Sequence, residues 1–222
     1  SYENLTSDKI IFHEAKEYKV KNSKLKYQRI KIETKFPNGK KGALVIETPF
    51  LFSFGVTERL NQETNQPRGY SIPVCLWGKE EKPNESEKSF FEAINKVTEI
   101  YQHYLEEEFG PDMASYLTNS LYWKQVEYTD KKAAPVLYAK RIYSDKSKKI
   151  LSLFRTKGND KVSPFDYLNQ YCKVKMALII ESIYLSKNIV SLQIKVHEAY
   201  IKPLKPMEAL LSIKESDEDE NE

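Results

Sequence analysis

The sequence predicts a mainly β, α+β domain in which antiparallel strands accompany one long helix. Three observations support this prediction. Apolar and charged residues alternate at period two in several segments, one central segment has the helical period, and no βαβ rhythm occurs. The 222 residues are 40% hydrophobic and 30% charged, a globular composition that can bury a sizeable core. No stretch approaches the ~20 apolar residues of a membrane span.

The first half of the chain is expected to form strands. Their predicted ranges are 24–36, 43–48, 50–56 and 69–77. The turn residues of 37–42 separate the first two strands, and a polar loop at 61–68 precedes the last. Because Pro73 lacks the N–H of a ladder hydrogen bond, we expect its strand to lie at an edge or to contain a bulge.

The long helix is predicted at 84–109. Asn84 and Glu87 have the spacing of a capping box, and Gly110 with Pro111 ends the pattern. The apolar residues with helical spacing are Phe90, Phe91, Ile94, Val97, Tyr101, Tyr104 and Leu105. A shorter helix is expected at 112–120.

The second half returns to strands. They are predicted at 122–128, 135–143, 149–154, 171–185 and 189–201. Only 186–188 separate the last two, which therefore form a long C-terminal hairpin. We expect one β-rich domain over residues 1–208 and a disordered acidic tail over 209–222, because a run of carboxylates cannot bury a core.

The charge is distributed unevenly. The net charge of +3 comes from 35 Lys and Arg against 32 Asp and Glu, and six of those carboxylates lie in residues 215–222. Residues 16–41 hold ten Lys and Arg against two Glu, and 124–161 hold eleven against four acids. The helix at 84–109 is acidic, so we expect it to lie away from a polyanion. Segregated charge of this kind favours a basic binding face.

Sequence signals of catalysis are weak. No glycine-rich phosphate loop, nucleophile elbow or zinc spacing occurs, so no metal or other cofactor is expected. Glu181 is the nearest candidate for a nuclease carboxylate, but a glutamate on the solvent-facing side of a strand is the preferred interpretation. Cys172 and His197 are candidates for a nucleophile and its base, but a core cysteine and a surface histidine are preferred. The start of the chain lacks a secretory signal pattern, so Cys75 and Cys172 are expected to be reduced and buried, with a disulfide as the alternative. We predict a protein that is not an enzyme.

Aromatic and basic residues are interleaved on the predicted strands, and this mixture is typical of surfaces that bind single-stranded nucleic acid. Lysine and arginine neutralise phosphates, and rings stack on unpaired bases. The predicted stacking residues are Phe52, Phe54, Trp77, Trp123, Tyr138 and Tyr143. The predicted phosphate contacts are Lys124, Lys140, Arg141, Lys148, Lys149, Arg155 and Lys157. The alternative for each ring is a place in the core, and for the bases a merely solvated face.

The sequence also resembles a known family. Residues 48–56, 69–77 and 84–109, with the hairpin segments 172–175 and 198–201, resemble a single-stranded DNA-binding protein family of nucleocytoplasmic large DNA viruses. The resemblance implies an OB-like antiparallel barrel with the long helix inserted, and single-stranded DNA as the ligand. It also implies an intracellular site of viral replication in the host cytoplasm or nucleus, or a place in the virion.

The predicted function is sequence-independent binding of single-stranded DNA in replication, recombination or repair. The acidic tail is expected to compete for the basic groove or to recruit replication proteins. RNA as the ligand and a homo-oligomeric state are left open, and no membrane partner is expected. The main alternative is a viral structural or scaffold module that binds proteins; a nuclease whose carboxylates converge only in three dimensions is weaker.

Overall fold

The computed structural model describes residues 6–19, 26–60, 67–78, 82–123, 133–140, 142–144, 147, 149–158, 160–187 and 189–204. The helices are α1 (Glu85–Phe109) and α2 (Pro111–Ser115), with 3-10 turns at Ser7–Lys9 and Pro164–Tyr167. The strands up to α1 are β1 (Ile10–Phe12), β2 (Lys16–Lys19), β3 (Lys26–Lys35), β4 (Lys41–Gly42), β5 (Leu44–Glu47), β6 (Leu51–Ser53), β7 (Thr57–Leu60) and β8 (Pro67–Cys75). Those after α2 are β9 (Leu117–Thr118), β10 (Leu121–Tyr122), β11 (Val136–Lys140), β12 (Tyr143–Ser144), β13 (Lys149–Ile150), β14 (Leu153–Arg155), β15 (Lys161–Val162), β16 (Cys172–Ser186) and β17 (Ile189–Pro203). No helix in these ranges is both long and apolar enough to cross a membrane.

Five of the strands close into a barrel. Their order is β16, β6, β8, β11, β17 and back to β16. Neighbouring strands are antiparallel except β11 and β17, which run parallel and meet at the pair Lys140 and Lys195. With α1 beside the barrel, this is the mainly β, OB-like α+β fold that the sequence predicts, and the prediction is confirmed.

The predicted C-terminal hairpin is the longest ladder in the fold. β16 and β17 pair from Cys172 opposite Pro203 to Ser186 opposite Ile189. Two register shifts leave Glu181 and His197 as extra residues in bulges, which increase the local twist that a closed barrel requires. Three earlier strands pair with β16 in succession, β3 near its end, β5 in its middle and β6 at its start.

The interior is filled by the apolar side of these alternating strands. Buried residues of β16 and β17 include Val174, Leu178, Ile194 and Ile201. Helix α1 contributes its apolar stripe to the same core, with Phe90, Ala93, Ile94, Val97, Tyr101 and Leu105 buried. An amphipathic helix is stable here because one face has the barrel to pack on while its glutamates stay in water.

The long helix begins and ends as predicted. The Asn84 side chain accepts a hydrogen bond from the Glu87 N–H at 3.0 Å, and the Asn84 N–H donates to the Glu87 carboxylate at 2.9 Å. Gly110 terminates the helix with a φ of 85°. The shorter helix predicted at 112–120 is wrong beyond Ser115, because Leu117 and Thr118 form β9 and pair with β17.

The bulge expected as one alternative for the strand of Pro73 occurs at Arg68, where β8 shifts register against β7. The other alternative, an edge position, is wrong, because β8 lies inside the barrel. It pairs with β11 on one side and with β6 and β7 on the other. The Pro73 carbonyl accepts a hydrogen bond from the Ser53 hydroxyl at 2.6 Å, so its ring nitrogen faces the same side. On that side β6 has ended at Ser53 and β7 begins only at Thr57. Because neither strand offers a ladder partner between Ser53 and Thr57, the missing N–H of Pro73 costs no hydrogen bond there. A proline is therefore tolerated in this internal strand.

Sequence analysis missed the shortest strands. β1, β2, β4, β7 and β15 are two to four residues long, which is too short for period-two alternation to be recognised. The predicted strand at 122–128 is represented by β10, and residues 124–130 lie outside the described ranges. Both cysteines are free thiols, Cys172 buried and Cys75 half-buried. The acidic tail at 209–222 lies outside the described residues, so the domain division stays a prediction.

Candidate nucleic-acid interface

The outer face of the C-terminal hairpin is basic where β16 begins and β17 ends. Cys172, Val174 and Met176 point into the core, and the residues between them, Lys173 and Lys175, are exposed. Across the ladder, Lys173 lies opposite Lys202 and Lys175 lies opposite Tyr200. Alternation thus places three lysines and a tyrosine together on one outer face.

Neighbouring strands extend this face on both sides. Phe52 of β6 lies opposite Lys173, and Arg155 of β14 lies opposite Tyr200. Lys161 of β15 lies opposite Arg155. The rings of Phe50, Phe54 and Tyr171 lie beside Tyr200 and Phe52 and complete this surface. The whole surface is called the basic–aromatic band, and its residues are Phe50, Phe52, Phe54, Arg155, Lys161, Tyr171, Lys173, Lys175, Tyr200 and Lys202.

Exposed rings surround the start of β16. The ring centroids of Phe52, Phe54 and Tyr171 lie 5.4 to 6.0 Å apart. Phe54 is 39% exposed and Tyr171 is 62% exposed, so both rings have faces that a base can reach. Beside them, the Lys202 ammonium lies 3.9 Å from the centroid of the Phe50 ring, and this cation–π contact orients both groups.

Some of the band's charges are neutralised and others are not. Arg155 donates to the Glu198 carboxylate at 2.8 Å, and the Lys175 ammonium lies 3.2 Å from the Glu47 carboxylate. Among the described residues, no carboxylate lies within ion-pair distance of Lys161, Lys173 or Lys202. Like charges directly opposite in a ladder are destabilising, so the Lys173 and Lys202 pair is costly until an anion approaches it.

Three other predicted residues meet in a pocket on a different part of the barrel. Trp123, Tyr138 and Lys140 line a pocket of about 480 Å³ between β11 and β17. On the N-terminal side of Lys140, β11 pairs with β10 and β17 pairs with β9 instead of with each other, and the pocket lies between the two barrel strands there. Tyr138 and Trp123 are 44% and 37% exposed, and Arg59 from β7 lies at the same pocket.

Of the remaining predicted residues, Trp77 contacts Trp123 beside this pocket, and the other described ones line neither the pocket nor the band. The Tyr143 ring packs with Tyr70 and Phe165, and the half-buried Trp77 packs against Phe91 of α1. Lys149 is exposed on β13, and Lys157 is exposed in the turn between β14 and β15. Three predicted phosphate contacts lie outside the described residues: Lys124, Arg141 and Lys148.

Several band residues were missed by sequence analysis. They are Phe50, Lys161, Tyr171, Lys173, Lys175, Tyr200 and Lys202. A signal was present, because tyrosine and lysine at 171, 173 and 175 alternate with the apolar residues at 172, 174 and 176. That alternation predicts one charged face, but it contains no information on which rings from β6 lie beside it.

The structure does not bring Cys172 and His197 together, and it places Glu181 among cations. Burial raises the pKa of the Cys172 thiol to about 11, which keeps it protonated, and the register places His197 far along the hairpin from it. Glu181 pairs with the Lys195 ammonium and lies 3.8 Å from the Arg29 guanidinium. In the described part of the chain, no group of three or more potential ligands could hold a metal ion.

Comparisons with known proteins give a family match. The family model described as "Protein of unknown function (DUF2738)" matches residues 6–212. A comparison with curated proteins finds no match. This family description assigns no activity, so the resemblance to a single-stranded DNA-binding family of large DNA viruses stays a prediction.

Solved structures of phage proteins are similar to this chain at low identity. The chain is similar to gp2.5, a single-stranded DNA-binding protein encoded by bacteriophage T7, with 13% identity and a TM-score of 0.46 over 82% of this chain and 96% of that chain. It is similar to the single-stranded DNA-binding protein of bacteriophage Enc34 in complex with single-stranded DNA, with 12% identity and a TM-score of 0.41. That match covers 85% of this chain and 94% of the Enc34 chain. A C-terminal truncation of the Enc34 protein gives 12% identity and a TM-score of 0.42, and the match covers 90% of this chain and 99% of that chain.

Proposed function

This chain belongs to the family described as "Protein of unknown function (DUF2738)", and we propose that it is a non-enzymatic protein that binds single-stranded DNA without sequence preference. One observation carries the proposal. On the basic–aromatic band, Lys173 and Lys202 lie directly opposite each other, without a described carboxylate partner, and Lys173 also lies opposite the ring of Phe52.

The chemistry of the band suits a single strand better than a duplex. Ammonium groups that contact phosphates release counterions and give affinity for any sequence. The rings of Phe54 and Tyr171 offer faces on which an unpaired base can stack, which contributes about 1–3 kcal/mol per base. A duplex hides its base faces, so it would gain the phosphate contacts and lose the stacking.

The acidic tail gives the proposal a regulatory part. Residues 215–222 hold six carboxylates, and a tethered polyanion competes with phosphates at high effective concentration. We expect the tail to occupy the band until single-stranded DNA displaces it, and the released tail to bind basic surfaces of replication proteins. The biological setting that fits is replication, recombination or repair.

The first test compares single-stranded with duplex DNA. Fluorescence anisotropy of a labelled ~30-mer single strand and of the matching duplex is titrated with the full chain at 50 and 200 mM salt. We expect tighter binding of the single strand and a steep loss of affinity with salt. Absence of binding at low salt, also after removal of the tail, would overturn the proposal and favour a protein-binding module instead.

The second test assigns binding to the band. Replacing Lys173→Gln and Lys202→Gln together removes two phosphate contacts, so the slope of log affinity against log salt should fall by about 1.4 for a single strand. The matched control is Lys88→Gln with Lys96→Gln, which removes the same charge from the exposed face of α1 and should leave the slope unchanged. Equal slopes in the band variant and the wild type would exclude the band as the interface.

A further inference from the structure

The pocket between β11 and β17 is distinct from the basic–aromatic band. Its rings are those of Tyr122, Trp123 and Tyr138, and the centroids of the two tyrosines lie 6.4 Å apart at a steep angle. All three rings are exposed, although apolar rings of this size are usually buried when they serve only the core. Trp123 also contacts Trp77 and Phe91, so one side of the pocket rests on α1.

Two cations face the same pocket. Lys140 is half-buried on β11, and Arg59 is exposed on β7. Burial, and then the charge of Arg59, lower the pKa of Lys140. Among the described residues, neither cation has a carboxylate within ion-pair distance. Two unneutralised like charges at the mouth of an aromatic pocket are unfavourable without an anion.

We propose that this pocket binds one nucleotide unit, with its base against Tyr138 and Tyr122 and its phosphate between Lys140 and Arg59. The inference rests on the proposed function, because the nucleotide is one unit of the bound single strand. A free nucleoside monophosphate has the same chemistry and serves as the probe. The pocket volume of about 480 Å³ lies within the ~300–1,000 Å³ of small-ligand sites.

Polar groups in the pocket can satisfy the base edge. The Asn119 side-chain oxygen accepts from the Leu121 N–H at 2.9 Å, which leaves the Asn119 amide NH₂ to donate to a ligand. The Ser191 hydroxyl accepts from the Gln193 amide at 3.0 Å and can donate its own proton. Two donors near three rings suit a base with carbonyl oxygens, and thymine is therefore the probe base.

The band and the pocket lie along the same strand. Tyr200 belongs to the band, and Lys195, five residues earlier on β17, lies opposite Lys140. Because His197 is an extra residue in a bulge, this separation matches the four residues from Lys175 to Ile179 on β16, roughly 13 Å at ~3.3 Å per residue. A single strand that crosses the band can therefore place a later nucleotide in the pocket.

The test titrates the full chain with thymidine 5′-monophosphate and follows tryptophan fluorescence. We expect quenching through Trp123, and binding about tenfold weaker for thymidine, which lacks the phosphate. Arg59→Gln with Lys140→Gln should weaken binding of the monophosphate by at least about tenfold but not that of thymidine. Tyr138→Ala should weaken binding of both ligands by roughly 5- to 150-fold. Circular dichroism checks that each variant is folded, and Lys140→Arg should retain most of the affinity.

A second ligand separates failure of this inference from failure of the proposed function. The control variant Lys173→Gln with Lys202→Gln should weaken binding of a thymidine 30-mer and leave monophosphate binding unchanged. If the 30-mer binds through the band, but the monophosphate does not quench and the pocket variant binds the 30-mer like the wild type, the pocket inference is wrong and the proposed function stands. If the 30-mer does not bind at low salt, with or without the acidic tail, the proposed function is wrong.

Discussion

The carboxylates beside each surface lysine or arginine decide whether its charge is available to a ligand. Glu47 pairs with Lys175 and Glu198 pairs with Arg155, so these two band residues keep part of their charge within the protein. Lys173 and Lys202 face each other instead. Exposed ion pairs contribute little to stability, but they reduce the number of cations that a polyanion encounters. The band should therefore attract a polyanion most strongly at Lys173 and Lys202, which have no carboxylate partner among the described residues.

Glu33 gives a prediction about pH at the residue scale. Its carboxylate accepts a hydrogen bond from Lys31 at 2.7 Å and bonds the His13 ring at 2.6 Å, and these two contacts, Lys31 first, lower the pKa of Glu33 from 4.5. A carboxylate with a lowered folded pKa stabilises the fold above its ordinary pKa and loses that effect as pH falls through the folded value. Glu33→Gln should therefore lower Tm by about 1–2 °C at pH 6 and by less at pH 3.

Thermal denaturation at the two pH values measures this difference. The control is Glu17→Gln, which removes the ion pair between Glu17 and Lys26. The side chains of both residues are at least half exposed, so this ion pair should contribute little to stability. Its effect on Tm should be within error at both pH values. A Tm difference for Glu33→Gln that is the same at pH 6 and pH 3 would show that the ion pairs of Glu33 do not stabilise the attachment of β1 to β3.

The element that positions the aromatic part of the band is the turn between β6 and β7. The Gly55 N–H donates to the Ser53 hydroxyl at 3.1 Å, and the Val56 N–H donates to the Tyr167 carbonyl at 2.9 Å. These bonds hold the turn against the segment that leads into β16, which brings Phe54 beside Tyr171. The ring cluster is thus set by backbone contacts of a turn.

Gly55 gives the prediction at this scale. Its φ is +86°, and a Cβ at this position would lie 2.5 Å from the Gln170 carbonyl oxygen and 2.6 Å from the Tyr167 carbonyl oxygen. Gly55→Ala should therefore lower the free energy of unfolding by about 2–5 kcal/mol, from backbone strain and overpacking together. Urea denaturation measures the change.

Gly39 is the matched control for this substitution. Its φ is +77°, but a Cβ there meets no atom within 4 Å. Gly39→Ala should cost only the conformational penalty of about 1–2 kcal/mol. Losses of equal size for the two variants would show that close packing against residues 167–170 is not what requires glycine at position 55.

On the scale of the whole molecule, the fold places basic and acidic parts on different elements. The exposed outer side of α1 carries Glu92, Glu99 and Glu106 to Glu108, while the start of the C-terminal hairpin carries lysines. Opposite fields on one molecule favour one orientation of a polyanion. In the proposal, the six carboxylates of residues 215–222 add a negative charge that competes with a polyanion for the band.

Removal of the tail gives the whole-molecule prediction. Truncation after residue 214 should tighten binding of the 30-mer single strand by roughly 3- to 10-fold at 50 mM salt, because an intramolecular competitor is lost. The gain should shrink at 200 mM salt, where screening weakens the tail and the DNA alike. Anisotropy titrations measure both values.

A full-length variant is the control for truncation. Replacing the six carboxylates of residues 215–222 by the matching amides keeps the chain length and removes the charge. This variant should bind like the truncated chain. If the truncated protein binds with unchanged or lower affinity, the tail is not a competitor, and recruitment of partners is its remaining proposed role.

The sequence by itself determined the elements whose signals are local. The capping box of Asn84 and Glu87, the apolar stripe of α1 and the long alternating runs of β16 and β17 each depend on neighbours a few residues apart. The mixture of lysine, arginine and aromatic residues, and the acidic end of the chain, are also properties of composition. These features predict the fold class and the kind of ligand without any tertiary contact.

Only the tertiary structure decided which residues share a surface. Phe52 lies opposite Lys173 although the two are far apart in the chain, while Trp123, Tyr138 and Lys140 line a separate pocket and Tyr143 packs with Tyr70. The physical reason is that period-two alternation separates two faces of a strand but contains no information on which strand pairs with it or in which register. Pairing between distant segments closes the barrel, and closure decides which face meets water.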